Sequence, residues 1–299
     1  MRKSTHRRQS VVPFLASLLV FAGPAACQQE IEGPLDPSDR APVAEGYAFE
    51  PVISGLDRPW SVAWLPNGDM LITERKGQLR IVRNGTLDPR PIRDLPEIGA
   101  FGQGGLMEVS LHPEFEDNQL VYLAYTEGDR NANRTVLGRG KLLYDRIERF
   151  EVIFRVDETK SGGQHFGARV VWLPDNTLLL SIGDGGNPPA KYGDTFIRNL
   201  AQDPDADVGK VHRLNDDGSA PDDNPFVGRD DADPTVYSYG HRNIQGMDRD
   251  PVSGRIYANE HGARGGDELN IIEPGVNYGW PKATYSREYW GPRISEETS

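Results

Sequence analysis

One unit of apolar and polar character recurs along the chain. An apolar run leads into a polar turn that carries proline, and a second apolar run follows. The unit appears from Ser61 to Thr73, from Val109 to Leu123, from Arg169 to Ser181 and from Met247 to Ala258. Short apolar runs bounded by Pro, Gly, Asn and Asp predict β-strands joined by tight turns. Asn67-Gly68 and Asp175-Asn176 supply residues that tolerate positive φ, as a tight hairpin turn requires. The shared proline stands at Pro66, Pro113, Pro174 and Pro251, at intervals that widen along the chain. A propeller blade takes about 40–50 residues, so the wider intervals imply inserted loops. No amphipathic helix longer than three turns is apparent. The pattern predicts an all-β fold with blades around an axis. A β-sandwich is the alternative, and four copies of one strand–turn–strand unit weigh against it.

Composition supports many turns and short elements. Gly 33 and Pro 23 in 299 residues are a high share of turn formers, unlike a helical bundle. The length allows one large domain or two small ones. The lone Cys27 excludes an intramolecular disulfide framework and a Cys-based zinc site. The formal net charge of −12 argues against a nucleic-acid partner, because phosphate binding needs clustered Lys and Arg.

The N-terminus is a different object. Arg2, Lys3, Arg7 and Arg8 precede an apolar stretch from Val11 to Gly23, too short to span a bilayer comfortably. Residues 1–27 therefore read as an export signal. Ala25-Ala26-Cys27 has the pattern of a bacterial lipoprotein cleavage site, which would place a lipid on Cys27 and tether the protein to a membrane. Ordinary cleavage near Ala25 or Ala26 is the other reading. Residues 28–46, polar and rich in proline, read as a flexible linker. The propeller domain is expected over residues 47–299.

Four segments carry polar residues that blade packing does not require. Gly99 to Leu106 sets Gln103 among glycines, which allows close backbone approach to a ligand or makes a plain turn. His165 precedes one predicted strand and Asp184 follows the next, so a hairpin brings both to the same end of a blade. A carboxylate beside an imidazole fixes its tautomer and makes it a better base; the alternative is a surface histidine in a Gly-rich loop. Arg242 and Asn243 offer several donors, suited to carboxylates or quinone oxygens, unless Arg242 serves a structural salt bridge. Asn259 to Asn270, running on to Asn277-Tyr-Gly-Trp-Pro281, offers the carboxylates and carbonyls that calcium uses. His261 there is a ligand or a structural residue. Asp203, Asp205, Asp207, Asp222 and Asp223 read as solvated loop acids.

Several motifs occur together and in order: Gly55-Leu-Asp-Arg-Pro-Trp60, Gly102-Gln-Gly-Gly-Leu-Met107, His165-Phe-Gly-Ala-Arg169, Gly209-Lys-Val-His-Arg-Leu-Asn215, Gly240-His-Arg-Asn243, Glu260-His-Gly262, and Gly266-Asp-Glu-Leu-Asn270 with Asn277-Tyr-Gly-Trp-Pro281. From Gly55 to Pro281 the chain resembles the soluble quinoprotein sugar dehydrogenases of the glucose/sorbosone dehydrogenase family. The resemblance implies a six-bladed β-propeller that holds pyrroloquinoline quinone and Ca2+ at one end of its axis. It implies oxidation of an aldose at C1 to the lactone, by hydride transfer to the quinone, with electrons passing to an external acceptor. His165 matches the family's general base and Asp184 the carboxylate beside it. Gln103, Arg242 and Asn243 match residues that contact the quinone, and Arg242 would also stabilise charge on the reduced ring. Gly262 and Ala263 match the backbone carbonyls that hold the cofactor's calcium. Glu268 and Tyr278 match ligands of a second, structural calcium. A periplasmic or membrane-anchored location would suit this activity.

Two departures are modest: Ile244 and Ala263 each stand where the family often has proline. The third is that the chain ends at Ser299, where the family continues with one to two further blades. The expectation is thus an incomplete propeller of about four to five blades. A non-catalytic extracytoplasmic propeller that binds carbohydrate or protein is the alternative from another class. A calcium-dependent lactonase would need an axial set of carboxylates that the sequence lacks.

Overall fold

In a computed structural model of the chain, Gly46 and residues 50–298 are described. The expected export segment, Cys27 and nearly all of the linker lie outside these residues. The chain divides into two units, Met1–Glu50 and Pro51–Ser299. Every strand among the described residues belongs to the second.

That unit is built from four antiparallel sheets in sequence order. The first contains β1 (Pro59–Trp64), β2 (Met70–Glu74), β3 (Gln78–Arg83) and β4 (Thr86–Leu87). The second contains β5 (Leu106–Leu111), β6 (Leu120–Gly128), β7 (Asn133–Leu143) and β8 (Arg146–Arg155). In the third, β9 (Val170–Trp172) and β10 (Leu178–Ile182) are followed by a two-stranded insert of β11 (Lys191–Tyr192) and β12 (Thr195–Phe196). A 3₁₀ turn, Ile197–Gln202, then leads to β13 (Lys210–Leu214) and β14 (Val236–Tyr239). The fourth contains β15 (Ile244–Arg249), β16 (Ile256–Glu260) and β17 (Glu268–Ile272). The first three sheets are meanders of four strands and the fourth has three. The fold is a β-propeller, with four blades among the described residues.

Each copy of the repeated sequence unit forms the first hairpin of a blade: β1–β2, β5–β6, β9–β10 and β15–β16. The same backbone bond closes two of the turns, Leu65 N to Asp69 O and Leu173 N to Thr177 O, and one a residue wider, Asp250 N to Arg255 O, closes the fourth. Gly68 and Asn176 take the positive φ that their turns need, 86° and 64°. The second turn is longer because it holds the sole α-helix among the described residues, Phe115–Asn118. The wide later intervals contain the insert around β11 and β12 and the loops near it.

The core does not sit in one place. One apolar cluster joins Leu71, Leu79 and Ile81 of the first blade to Leu106, Val121 and Leu123 of the second. Another joins Met107 and Leu137 of the second to Leu178, Leu180 and Leu214 of the third. A third joins Leu179 and Val211 of the third to Met247, Ile256 and Ile272 of the fourth. Strands β2, β10 and β13 are buried along their whole length. The second and fourth blades cover faces of the third, while β2 has the second blade on one face and Ile53, Leu56, Val82 and Leu87 on the other. They therefore read as unbroken runs rather than as alternating positions.

Candidate active site

In every blade the first strand starts, and the second ends, at the same edge of the sheet. Loops that precede β5, β9 and β15 or follow β10 and β16 therefore converge. These loops carry Gln103, His165, Asp184, Arg242, Asn243, Gly262 and Ala263. Gln103 and His165 line a cavity of about 710 Å³ with Asn187, Gly186, Tyr289 and Trp290.

His165 and Asp184 form the pair that the hairpin reading predicts. His165 Nδ1 lies 2.6 Å from Asp184 Oδ1, and both side chains are buried. Asp184 Oδ1 also accepts the Gly186 amide at 2.9 Å, and Oδ2 accepts Trp280 Nε1 at 2.7 Å. Both carboxylate oxygens are thereby satisfied and fixed in place. With Nδ1–H given to Asp184, the imidazole keeps its basic lone pair at Nε2, on a ring that lines the cavity. This tautomer suits a proton acceptor.

Trp280 lies within the Asn277-Tyr-Gly-Trp-Pro281 motif, yet nothing local reveals that it would donate to a carboxylate nearly a hundred residues away. Replacing it, Trp280→Phe, leaves a buried carboxylate oxygen without a donor. We expect this to cost about 1–3 kcal/mol of stability and to lower turnover; thermal melts and steady-state rates check both.

The glycines around Gln103 serve chiefly for packing of protein on protein. A Cβ at Gly102 would overlap the Gly163 carbonyl, and one at Gly104 would overlap the Thr126 hydroxyl. The close approach lets Gln103 N donate to Gly163 O at 2.8 Å. Gln103 Oε1 in turn accepts the His165 amide at 2.8 Å. Asn243 behaves similarly: its Oδ1 accepts the Gly167 amide at 3.1 Å, and the residue is buried. Both residues hold the loop that carries His165.

Arg242 does not form the salt bridge offered as its alternative role. Its guanidinium donates to His261 O at 2.9 Å and to Asn187 Oδ1 at 3.0 Å, with the Tyr289 hydroxyl 3.5 Å away. Its Nε is buried without a partner. Among the described residues no carboxylate lies within ion-pair distance of the group. Glu260 instead accepts the Arg242 backbone amide and His241 Nδ1, the latter at 3.0 Å. A cation with an unused donor thus stands next to the cavity, over the Trp280 ring. Asn187 and Tyr289 are not recognisable in the sequence, since neither lies in a motif.

Gly262 and Ala263 follow β16. Their amides are held by Asp267 Oδ1 at 2.7 Å and Ser286 Oγ at 3.2 Å, which fixes this stretch of backbone. Glu268 and Tyr278 are not joined through their side chains. The Tyr278 hydroxyl donates to Ile271 O at 2.6 Å and accepts the Glu273 amide at 2.9 Å. The Glu268 carboxylate accepts Asn270 Nδ2 at 3.1 Å, and burial pushes its pKa up. His261 is structural in its contacts, with Nε2 at 2.9 Å from Gln245 Oε1.

Asp207 is a correction to the reading of solvated acids. Asp203 and Asp205 are exposed, but Asp207 is buried and accepts the Asp157 amide at 2.7 Å. Burial pushes it up to about 7. It lies near His212 and Asp233, with candidate metal-binding atoms within 4.8 Å of one another. These groups are already engaged. His212 Nε2 lies 2.9 Å from Asp207 O and Nδ1 2.8 Å from the Thr235 hydroxyl, while Asp233 accepts the Thr235 amide at 2.7 Å. Nothing there points to an ion.

Beside this group, Lys210 is fully buried and donates to Val208 O at 2.7 Å and Leu200 O at 2.8 Å. Burial pushes it down to about 7, against the pull of Glu158, Asp203 and Asp207. An unfolded lysine holds its proton to about 10.4. Between those values the unfolded chain binds more protons, so this lysine's contribution to stability rises with pH and is least favourable below 7. The melting temperature of Lys210→Met should therefore depend less steeply on pH between 7 and 10 than that of the parent.

The profile of the Glucose / Sorbosone dehydrogenase family matches residues 56–299. A Synechocystis protein, slr1608, is 53% identical over 247 residues, covering 80% of this chain and 60% of that protein. The aldose sugar dehydrogenase YliI of Escherichia coli is 42% identical over 245 residues, covering 81% of this chain and 63% of the relative. Among solved structures, the PQQ-bound form of an aldose sugar dehydrogenase from Streptomyces coelicolor superposes with a TM-score of 0.66 at 33% identity. The match covers 79% of this chain and 66% of that one. The chain spans about 60% of the length of the curated relatives it matches.

Proposed function

The chain belongs to the glucose/sorbosone dehydrogenase family, and from that membership we propose that it is a quinoprotein oxidoreductase that oxidises aldoses at C1 to lactones. One observation carries the reading. An imidazole paired with a buried carboxylate lines the cavity, and a guanidinium with no carboxylate partner among the described residues stands against its Asn187 and Tyr289. The Streptomyces coelicolor relative, described as PQQ-bound, supports pyrroloquinoline quinone as cofactor.

The residues present fit that group. Arg242 has a buried, unpartnered Nε and no carboxylate on its guanidinium, so an acidic, oxygen-rich ligand would complete its bonding. Gly262 and Ala263 would supply carbonyls to the accompanying Ca2+, a hard cation that takes oxygen ligands. Glu268 and Tyr278 would contribute to a second calcium site. When bound, the quinone supplies the two-electron oxidant, made more electrophilic by the metal.

The chain's residues perform the rest. His165 Nε2 takes the proton of the C1 hydroxyl as the C1–H bond breaks, and Asp184 stabilises the resulting imidazolium. Trp280 and the Gly186 amide hold Asp184 in place. Gln103 and Asn243 keep the His165 loop fixed. Arg242 stabilises negative charge that develops on the oxidant's side of the cavity. The exposed faces of Tyr289 and Trp290 give an aldose an apolar wall within the same cavity.

Export to the periplasm, with a lipid on Cys27, completes the proposal. Cell fractionation of the parent and of Cys27→Ser tests it, since only the parent should sediment with membranes. For the activity, the purified chain is mixed with calcium and pyrroloquinoline quinone, and reduction of a dye acceptor is followed with several aldoses. Sugar-dependent dye reduction with a cofactor-induced rise in melting temperature is the expected result. The absence of both would overturn the reading for this chain.

A further inference from the structure

His165 occupies a backbone conformation that residues with a Cβ resist, φ 51°, within a loop where Gly162, Gly167 and Ala168 also have positive φ. Such a loop keeps its shape only if its neighbours hold it. Four side chains do so. Gln103 holds the His165 amide, Thr135 Oγ1 donates to Phe166 O at 2.9 Å and Asn243 holds the Gly167 amide. The fourth is Lys160, which lies outside every motif that identifies the site. Its Nζ donates to Gln164 O at 2.7 Å, directly before His165. The same ammonium lies 3.8 Å from the centroid of the Phe166 ring, directly after His165. The backbone of Lys160 is anchored by two bonds of 2.9 Å with Asn133.

We infer that Lys160 is a positioning residue for His165, clamping both of its chain neighbours through one buried ammonium. The inference rests on the reading of His165 as proton acceptor. A hydrogen bond fixes the peptide before the imidazole, and a cation–π contact fixes the side chain after it. Lys160 is only 5% exposed, so solvent competes little for the ammonium. Burial pushes its pKa down to about 7 against the pull of Asp184, so the hydrogen bond to Gln164 O holds in either protonation state and the cation–π contact is complete only below that pH. Lys160 is close enough to Asp184 to feel its charge, yet it is not among the residues that line the cavity. It touches no reacting atom.

The test compares the full chain with Lys160→Met, which keeps the length of the stem and removes the donor and charge, and with Lys160→Arg. In Lys160→Met, hydrogen exchange of the peptide spanning residues 161–169 should accelerate about tenfold, with β6 and β10 unchanged. In protein reconstituted with calcium and pyrroloquinoline quinone, kcat should fall ~10–100-fold while the aldose KM and the cofactor affinity stay within about threefold. Lys160→Arg should recover part of both effects. Unchanged exchange in that peptide would overturn the inference, as would uniform acceleration across the second and third blades. If the parent binds cofactor but never turns over, the activity reading fails, whereas the exchange result still decides whether Lys160 holds the loop.

Discussion

Replacing His165 with alanine should abolish most turnover and leave cofactor binding intact. Among the described residues that line the cavity, His165 alone has a carboxylate on one ring nitrogen and no hydrogen-bond partner on the other. General-base catalysis by a positioned side chain contributes ~10²–10⁴-fold, and the loss in kcat should fall within that range. Its amide bond to Gln103 Oε1 is a backbone feature and survives the change. Binding of pyrroloquinoline quinone, followed by tryptophan fluorescence or thermal shift, should therefore change little. Weakened binding with unaltered turnover per bound cofactor would make His165 a cofactor ligand instead. A converse control is Asp184→Asn, which keeps the shape but removes the charge and permits the other tautomer. It should approach the His165→Ala rate, as expected for two groups acting as one unit.

Arg242→Met should have the second large effect, and its signature should be the opposite one. The guanidinium is a buried cation with an orphaned Nε and only neutral partners. A ligand that brings carboxylates and quinone oxygens gains charge-assisted bonds there, each worth about 1.5–3 kcal/mol. Removing the group should weaken cofactor binding by ~10–100-fold. Arg242→Lys should recover little, because a single ammonium cannot reproduce the planar fork that meets His261 O and Asn187 Oδ1 together. The fold should survive both changes. The bond that ties this residue to Glu260 comes from its backbone amide, and Trp280 is held by Asp184. Titrations of cofactor into each apoprotein check the prediction, and an unchanged affinity in Arg242→Met would remove Arg242 from the cofactor site.

Much of this arrangement is legible along the chain. The four Pro-containing units are legible because each is the first hairpin of a blade, with at least one well-buried strand, closed by a turn of restricted chemistry. Outer strands such as β4 and β17 are less so, since they are short or have exposed positions, among them Leu269 and Ile271. The His165–Asp184 pair is legible because both residues flank one hairpin, whose geometry is local. Trp280, Asn187, Tyr289 and Lys160 are not, because their partners come from other loops and their roles depend on how blades meet. Asp207 misleads for the same reason: an acidic run looks solvated until the neighbouring blade's Asp157 amide caps one member. The glycines near Gln103 are visible, but their purpose depends on a facing loop some sixty residues downstream.

The three apolar clusters bear on how the molecule comes apart. They lie in series between successive sheets, so each blade is stabilised mainly by its nearest neighbours, as in a linear array of coupled units. The last junction separates two halves of one chemical centre, since His165 and Asp184 flank the third blade's hairpin while Arg242, Gly262 and Ala263 flank the fourth's. Partial opening of that junction would part acid–base chemistry from anion recognition while the first two sheets remain folded. In a denaturant titration, loss of ligand affinity should accordingly precede loss of β-structure, and saturating ligand should merge the two transitions into one.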